Sequence, residues 1–297
     1  MKERYVLGVL GGSGVYDIEG LEEVERLRVD TPYGMPSDEI VKARLAGRSE
    51  SLLFLPRHGR GHRIPPHAIN YRANICALKK LGATHVVSIS ATGSMREEIV
   101  PGDLVVVDQF IDLTKRRIST FFDAGAAAHV AFADPICPRM ADALFGAAES
   151  VVSRTGGAER RPTVHRGGTY VCMEGPQFST RAESRVYRSW GVHLIGMTNM
   201  PEAKLAREAE LPYATLALAT DYDCWHETEE AVDVAAVIRR LGGMVAYAKA
   251  IVRELAERLP DPASSPATGA LQGAVMTPPE HMSPETRESL RWLLPQL

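Results

Sequence analysis

The sequence predicts an α/β protein, a sheet with helices packed on both sides, and three observations carry that expectation. Short apolar runs recur along the chain, amphipathic stretches lie between several of them, and 45% hydrophobic with 24% charged residues is ordinary for a soluble globular protein. At 297 residues there is ample material for a large core.

In chain order, strands are expected over residues 6–10, 51–55, 85–90, 104–107, 168–173, 194–197 and 213–219, each an apolar run. Tyr71, Ile75, Leu78 and Leu81 recur at helical spacing and predict a helix over 70–81. Residues 140–154 and 180–190 have helical composition with polar faces, and 232–259 read as a long closing helix. The segment from Pro260 to Gly269 is rich in Pro, Ser and Gly, which breaks that helix and separates a body of residues 1–259 from a tail of residues 260–297. In the tail, Ser283 suits a helix N-cap and Pro284 the first helical position, with an end near Leu294. So short a tail cannot bury a core of its own, and it is expected to dock on the body or on a neighbouring subunit.

Composition narrows the function classes. A net charge of −3 argues against a surface that coats nucleic acid. Four scattered cysteines, Cys76, Cys137, Cys172 and Cys224, form no C-x-x-C pair, so reduced thiols are expected rather than a zinc site or disulfide framework. No apolar run approaches membrane-spanning length and the first residues lack a signal-like apolar stretch, so a cytoplasmic location is expected.

Three loops that follow strands share a chemistry. Gly8 to Gly14 is Gly-rich and carries Ser13, so backbone N–H groups and a hydroxyl can approach an anion; it lacks the Gly-Lys-Ser/Thr of a P-loop. Leu55 to His62 holds two arginines and two histidines, including Arg57, whose fork suits phosphate, and His58, which can donate a further hydrogen bond. Ser90-Ala-Thr-Gly-Ser94 sets small hydroxylated residues at a strand's carboxyl end. None has metal-ligand spacing, so phosphate is expected as a reactant, with no metal or other cofactor. Alone, the first loop also reads as a tight structural turn and the second as a solvated basic turn.

The run Tyr213 to Thr220 ends in Asp221-Tyr222-Asp223. Alternation sends the two carboxylates to one side while the strand lasts, where burial and like charge raise their pKa values and let one donate while the other accepts. The competing reading is a strand-ending turn, in which Asp is common.

Taken in order, several motifs resemble a known family. They are Gly11-Gly-Ser-Gly14, Arg57-His-Gly-Arg60, Asn70-Tyr-Arg-Ala-Asn74, Gly93-Ser-Met-Arg-Glu-Glu98, Pro101-Gly-Asp103, Asp108-Gln-Phe-Ile-Asp112, Glu174 to Glu183 and Ala219 to Trp225. Together they resemble the trimeric purine nucleoside phosphorylases, most closely the S-methyl-5′-thioadenosine phosphorylases, from about Leu7 to about Arg258. The resemblance implies a single-domain mixed β-sheet surrounded by helices and a homotrimer, or a hexamer built from two trimers. It implies phosphate-dependent release of adenine from methylthioadenosine, a reaction of purine and methionine salvage, with inorganic phosphate as co-substrate.

By the same resemblance Ser13, Arg57, His58, Ser90, Ala91 and Thr198 form the phosphate site, Met197 lies under the ribose, and Phe178 stacks on the purine. Threonines usually stand where this chain has Ser13 and Ser90, and both replacements keep the hydroxyl. Asp221 serves N7 of the leaving base and Asp223 its 6-amino group, whereas relatives that process 6-oxopurines carry asparagine at the first position. His129, ahead of Asp134-Pro-Ile-Cys-Pro138, and Leu293 close an apolar 5′ pocket across a subunit boundary, lined from the chain's own side by Val234 and Val237. The competing readings are core packing for Phe178 and a buried helix face for Val234 and Val237. At the level of function, the rivals are a 6-oxopurine or methylthioinosine phosphorylase and a nucleoside-binding protein without catalysis.

Overall fold

The computed structural model describes residues 5–12, 21–46, 50–123, 125–155, 160–226 and 234–297. The described strands are β1 (Val6–Gly11), β2 (Leu21–Leu27), β3 (Ile40–Leu45), β4 (Ser51–Pro56), β5 (His85–Ser94), β6 (Leu104–Val106), β7 (Gln109–Asp112), β8 (Val164–Arg166), β9 (Thr169–Cys172), β10 (Leu194–Gly196) and β11 (Tyr213–Asp221). The helices are α1 (Tyr71–Lys80), α2 (Pro138–Arg154), α3 (Arg181–Ser189), α4 (Asn199–Glu208), α5 (Val234–Ala256) and α6 (Pro284–Leu290). Every apolar run expected to be a strand is one, and the expected helices form, with α6 stopping at Leu290 rather than near Leu294.

Local chemistry accounts for the helix starts. The Asn70 side chain accepts from the Ala73 N–H, Thr180 and Glu183 form a reciprocal capping box, and Ser283 accepts from the Thr286 N–H with Pro284 at the first helical position.

A single mixed sheet organises the molecule. Its main path runs β2-β3-β4-β1-β5-β10-β9-β7, while β11 pairs with β5 and β6, and β6 with β8. β1 and β11 run parallel to β5, and β10 runs antiparallel to it. Helices surround the sheet: α1 packs with α4 and α2 with α5, and α4 and α5 both rest on the β5–β11 centre. β11 is buried from Tyr213 to Thr220, as a strand covered on both faces requires.

β5 is the strand that matters most for the site. Along one edge it pairs with β11 from Val86 to Gly93. Along the other, β1 accompanies it only as far as Ser88, and β10 takes over at Gly93. Between these partners the sheet forks, and the edge of β5 around Ser90 and Ala91 is left to other groups.

Residues 260–297 lie against the body. The Met276 N–H donates to Ala127 O at 2.8 Å, the His129 N–H to Ala274 O at 2.9 Å, and the Leu271 N–H to Glu210 Oε1 at 3.0 Å. Leu271, Met282, Leu290 and Leu294 join the main core cluster. Trp292 stands edge-on to Tyr33 and Phe121, with ring centroids 6.2 Å and 5.0 Å away. Leu290 is therefore expected to matter: Leu290→Ala should lower unfolding stability by about 2–5 kcal/mol, read from denaturant unfolding at pH 7. A loss below about 0.5 kcal/mol would mean that the tail is not part of the cooperative unit.

Candidate active site

The first cluster is built on Arg57, which follows β4 and continues its pairing with β1 through an Arg57 N–H bond to Gly11 O at 3.1 Å. Its side chain, 1% exposed, runs into the fork beside β5. Nη2 donates to Leu10 O at 2.5 Å, to Ser88 Oγ at 2.9 Å and to Ile89 O at 2.8 Å. Nη1 donates to Thr198 Oγ1 at 2.7 Å. Two of these acceptors are carbonyls at the end of β1 and the middle of β5, where the strand ladder has stopped. Arg57 Nε has no hydrogen-bond partner among the described residues.

So deep a cation needs a counter-charge, and Glu202 of α4 supplies it with Oε2 3.7 Å from Nη1. Tyr213 OH donates to Glu202 Oε1 at 2.8 Å, and the Asn199 amide donates to Tyr213 OH at 2.6 Å and Thr215 Oγ1 at 2.8 Å. Because Thr198 Oγ1 accepts from Arg57, its own hydrogen is left for another acceptor, and Ser90 Oγ stands 3.3 Å away. Tyr170 OH lies 3.3 Å from Ser90 Oγ and accepts from the Thr198 N–H at 3.5 Å. Ala91 is exposed between buried neighbours, so the backbone of β5 is open here.

His58 is buried with its Nδ1 2.9 Å from Ile64 O, and since a carbonyl only accepts, Nδ1 carries the proton. Burial pulls its pKa down to about 4, against the Ile64 bond, with the charges of Arg57 and His62 adding to the drop. His62 stacks on it with ring centroids 4.1 Å apart. The neutral ring therefore presents Nε2 as an acceptor. This corrects the expectation of a donating histidine: the one N–H of neutral His58 is already committed to Ile64. An arginine, two hydroxyls and an imidazole acceptor suit an oxyanion that itself carries a proton. Ser13 lies outside the described residues.

The second cluster lies beside the same strand, where Asp221 pairs with Gly93, three residues and hence roughly 10 Å along β5 from Ser90. A register shift separates Ala219 from Asp221 in β11, and Asp223 takes a left-handed φ of 53°. Simple alternation thus does not set these two carboxylates. Asp221 Oδ1 accepts from the Asp223 N–H at 2.8 Å, and Oδ2 from Thr220 Oγ1 at 2.7 Å. The turn and the carboxylate pair are one structure, because Asp221 closes the turn that presents Asp223. Burial raises the Asp221 pKa against the hydrogen bonds from Thr220 and Asp223. Burial also raises that of Asp223, opposed by the Ser184 hydroxyl and reinforced by the Asp221 charge. Gly93 makes room for the pair: a Cβ there would lie 2.9 Å from Asp221 Oδ1 and 2.9 Å from Ile195 Cγ2.

Between the clusters runs the β10–α4 connection. Met197 is half-buried there, next to Thr198, and lies so close to Gly175 that a Cβ on that glycine would stand 2.5 Å from its Sδ. Phe178 is 41% exposed on the loop from β9 to α3, which sets it apart from the core-packing reading. Val234 is 62% exposed and Val237 half-buried at the start of α5, so a buried helix face does not account for Val234. His129 is exposed and Leu293 half-buried, and both stand with the C-terminal strap rather than with the carboxylates.

Thr198 links Arg57 to Ser90, and Asp221 is bonded to the Asp223 N–H. Sequence reasoning passed over Glu202, Asn199, Tyr170, Ser184 and Arg117. Glu202 had a signal, an acidic residue between the apolar Met200-Pro201 and Ala203, while Arg117 hides in the basic run Lys115-Arg-Arg.

Residues 6–257 match the family described as the phosphorylase superfamily. The S-methyl-5′-thioadenosine phosphorylase of Geobacter sulfurreducens is 54% identical over 286 residues, 96% of each chain. The chain belongs to this family, within the phosphorylase superfamily. A second S-methyl-5′-thioadenosine phosphorylase, from Cereibacter sphaeroides, is 52% identical over 95% of this chain and 94% of its own. Among solved structures, a methylthioadenosine phosphorylase from an antarctic soil metagenomic library superposes with TM-score 0.90 at 47% identity, over 99% of this chain and 100% of that one. The Schistosoma mansoni methylthioadenosine phosphorylase in complex with adenine superposes with TM-score 0.84 at 37% identity, over 92% and 99%. The phosphorylase fold of this family is thus the frame on which both clusters sit.

Two expectations follow from the geometry. Gly93→Ala should leave the protein folded yet displace Asp221, lowering kcat by roughly 100-fold, as misplacement by about 1 Å can do; wild-type turnover in a folded variant would contradict this. For His58, the unfolded chain binds a proton below about 6.5 and the folded one only below about 4. Stability should therefore fall as pH drops through that window, and His58→Gln should flatten the decline measured by urea unfolding between pH 7 and pH 4.5. An unchanged slope would remove His58 as its source.

Proposed function

We propose that the chain catalyses phosphate-dependent cleavage of S-methyl-5′-thioadenosine to adenine and 5-methylthioribose 1-phosphate. The observation that carries this reading is the placement beside one strand, β5, of the cluster around Arg57 at Ser88 to Ser90 and of the buried Asp221 opposite Gly93. The family membership points the same way.

In this reading inorganic phosphate is the co-substrate, no cofactor takes part, and Arg57, His58, Ser90, Ala91 and Thr198, together with Ser13, hold the phosphate. A phosphate oxygen bonds to the anomeric carbon as the bond from that carbon to the purine nitrogen breaks, and the electron pair leaves with the base. The transition state is oxocarbenium-like, so the adjacent phosphate charge stabilises it. Asp221, whose pKa is raised by burial, donates its proton or a strong hydrogen bond to N7 of the departing adenine. Asp223 accepts from the exocyclic amine, which selects a 6-aminopurine over a 6-oxopurine. His58 Nε2 accepts a hydrogen bond from a phosphate hydroxyl. Phe178 stacks on the base, Met197 underlies the ribose, and Val234 and Val237 line the 5′ end, whose methylthio group needs no hydrogen bond.

We extend the reading to assembly and place in the cell. Supplying His129 and Leu293 to a neighbour's 5′ pocket requires a homotrimer, alone or paired into a hexamer, and the exposure of His129 and Val234 supports such sharing. The reaction belongs to purine and methionine salvage in the cytoplasm; no helix of the described residues is long and apolar enough to cross a membrane.

The deciding measurement is adenine release from methylthioadenosine with and without phosphate, beside hypoxanthine release from inosine. Phosphate-dependent adenine release should dominate; dominant hypoxanthine would overturn the substrate assignment, and ligand binding without turnover would overturn the reaction. Asp221→Ala should lower kcat on the order of 100-fold or more with a smaller effect on KM. Asp221→Asn should in addition shift preference toward 6-oxopurine nucleosides, and an unchanged ratio would detach Asp221 from base selection.

A further inference from the structure

Arg117 touches none of the residues assigned to substrate except through main chain, yet it is the most heavily bonded side chain near them. It follows β7 and is 1% exposed as a side chain. Nη1 donates to Met197 O and Met200 O, each at 2.6 Å, and to Tyr71 OH at 3.0 Å. Nη2 donates to Glu174 O at 2.6 Å and Met173 O at 3.3 Å, and Nε to Glu174 Oε1 at 2.9 Å.

Four of these acceptors are carbonyls just beyond β9 and β10. Those strands run parallel, and their last shared bond is from the Met173 N–H to Gly196 O at 2.9 Å. Past that point the chains part. One leads to Phe178 and into α3; the other carries Met197 and Thr198 into α4. Buried carbonyls leaving a ladder need donors, and one planar guanidinium with five N–H groups supplies them for both loops at once. The Glu174 carboxylate also accepts from the Lys115 N–H and, at 3.1 Å, from the Arg116 N–H, so the loop bearing Arg117 is itself held in place.

We infer that Arg117 is a positioning residue that fixes the loop under the ribose and phosphate relative to the loop that carries the base-stacking Phe178. The inference rests on the proposed phosphorolysis. Each loop keeps its own side chains without Arg117, so each half of the site still binds its ligand. What is lost is their mutual alignment, on which attack at the anomeric carbon depends. Lysine retains the charge but offers a single nitrogen, which cannot span carbonyls of two separate loops.

The test is steady-state kinetics of Arg117→Lys, with kcat expressed per folded molecule after circular dichroism and thermal unfolding. Turnover at saturating methylthioadenosine and phosphate should fall roughly 100-fold, while KM for each substrate stays within about three-fold. Glu174→Gln keeps the four carbonyl bonds and weakens only the hold on Nε and the 115–117 loop. It should lower kcat by roughly ten-fold with the same KM pattern, and it serves as the test if Arg117→Lys folds poorly. A purely structural role would lower thermal stability and leave kcat per folded molecule at the wild-type value, which would overturn the inference, as would losses confined to KM. A wild-type enzyme that releases no adenine would instead overturn the proposed reaction and this inference with it.

Discussion

Arg57 fills a gap that the sheet creates. β5 keeps β11 along one edge but exchanges β1 for β10 on the other, and the carbonyls exposed by that exchange find their donor in the Arg57 guanidinium. The same cation draws Thr198 toward Ser90 and sets Glu202 behind it. Removing the arginine would leave two carbonyls and a buried carboxylate without compensation, which is among the costliest single losses a core can suffer. The fork and the cluster around Arg57 are therefore one construction.

Burial acts in opposite directions on the titrating groups beside β5, and in each case it disfavours the charged form. It depresses His58 and raises Asp221 and Asp223. The Arg57 charge is matched by Glu202 3.7 Å away. In the proposed reaction a phosphate anion brings its own charge to a buried position beside the reacting carbon, where electrostatic stabilisation is strongest. In the same proposal the leaving base meets Asp221, whose pKa burial raises.

Strongly apolar elements were legible from sequence because burial on both faces writes itself as a run of Leu, Val, Ile and Ala, as in β4, β5 and β11. β2, β3, β7 and β8 were passed over. β2 reads Leu-Glu-Glu-Val-Glu-Arg-Leu and lies at the end of the sheet path, where one partner, β3, is enough and Glu22, Glu25 and Arg26 are exposed. β7 and β8 are only four and three residues long and owe their conformation to the neighbours they pair with. α4 was hidden by Pro201 and by the non-helical Met200 within it. At the site, residue types such as Arg57, His58 and Asp221 could be picked out by their chemistry. Arg117 could not, since a run of three basic residues ordinarily reads as a solvated face.

The sequence by itself determined the α/β class, the helix caps, the loops rich in anion-binding groups and the carboxylates at the end of β11. All of these rest on local periodicity, on side-chain chemistry or on motifs kept in order. Tertiary structure alone decided the direction of His58's hydrogen bond, the bulge that replaces simple alternation at Asp221, the pairing of Arg57 with Glu202 and the reach of Arg117 across two loops. Those outcomes depend on which distant segments share a dry space: residues 57 and 202 lie far apart in the chain yet 3.7 Å apart in the core. Desolvation and hydrogen-bond geometry exist only once such neighbours have met.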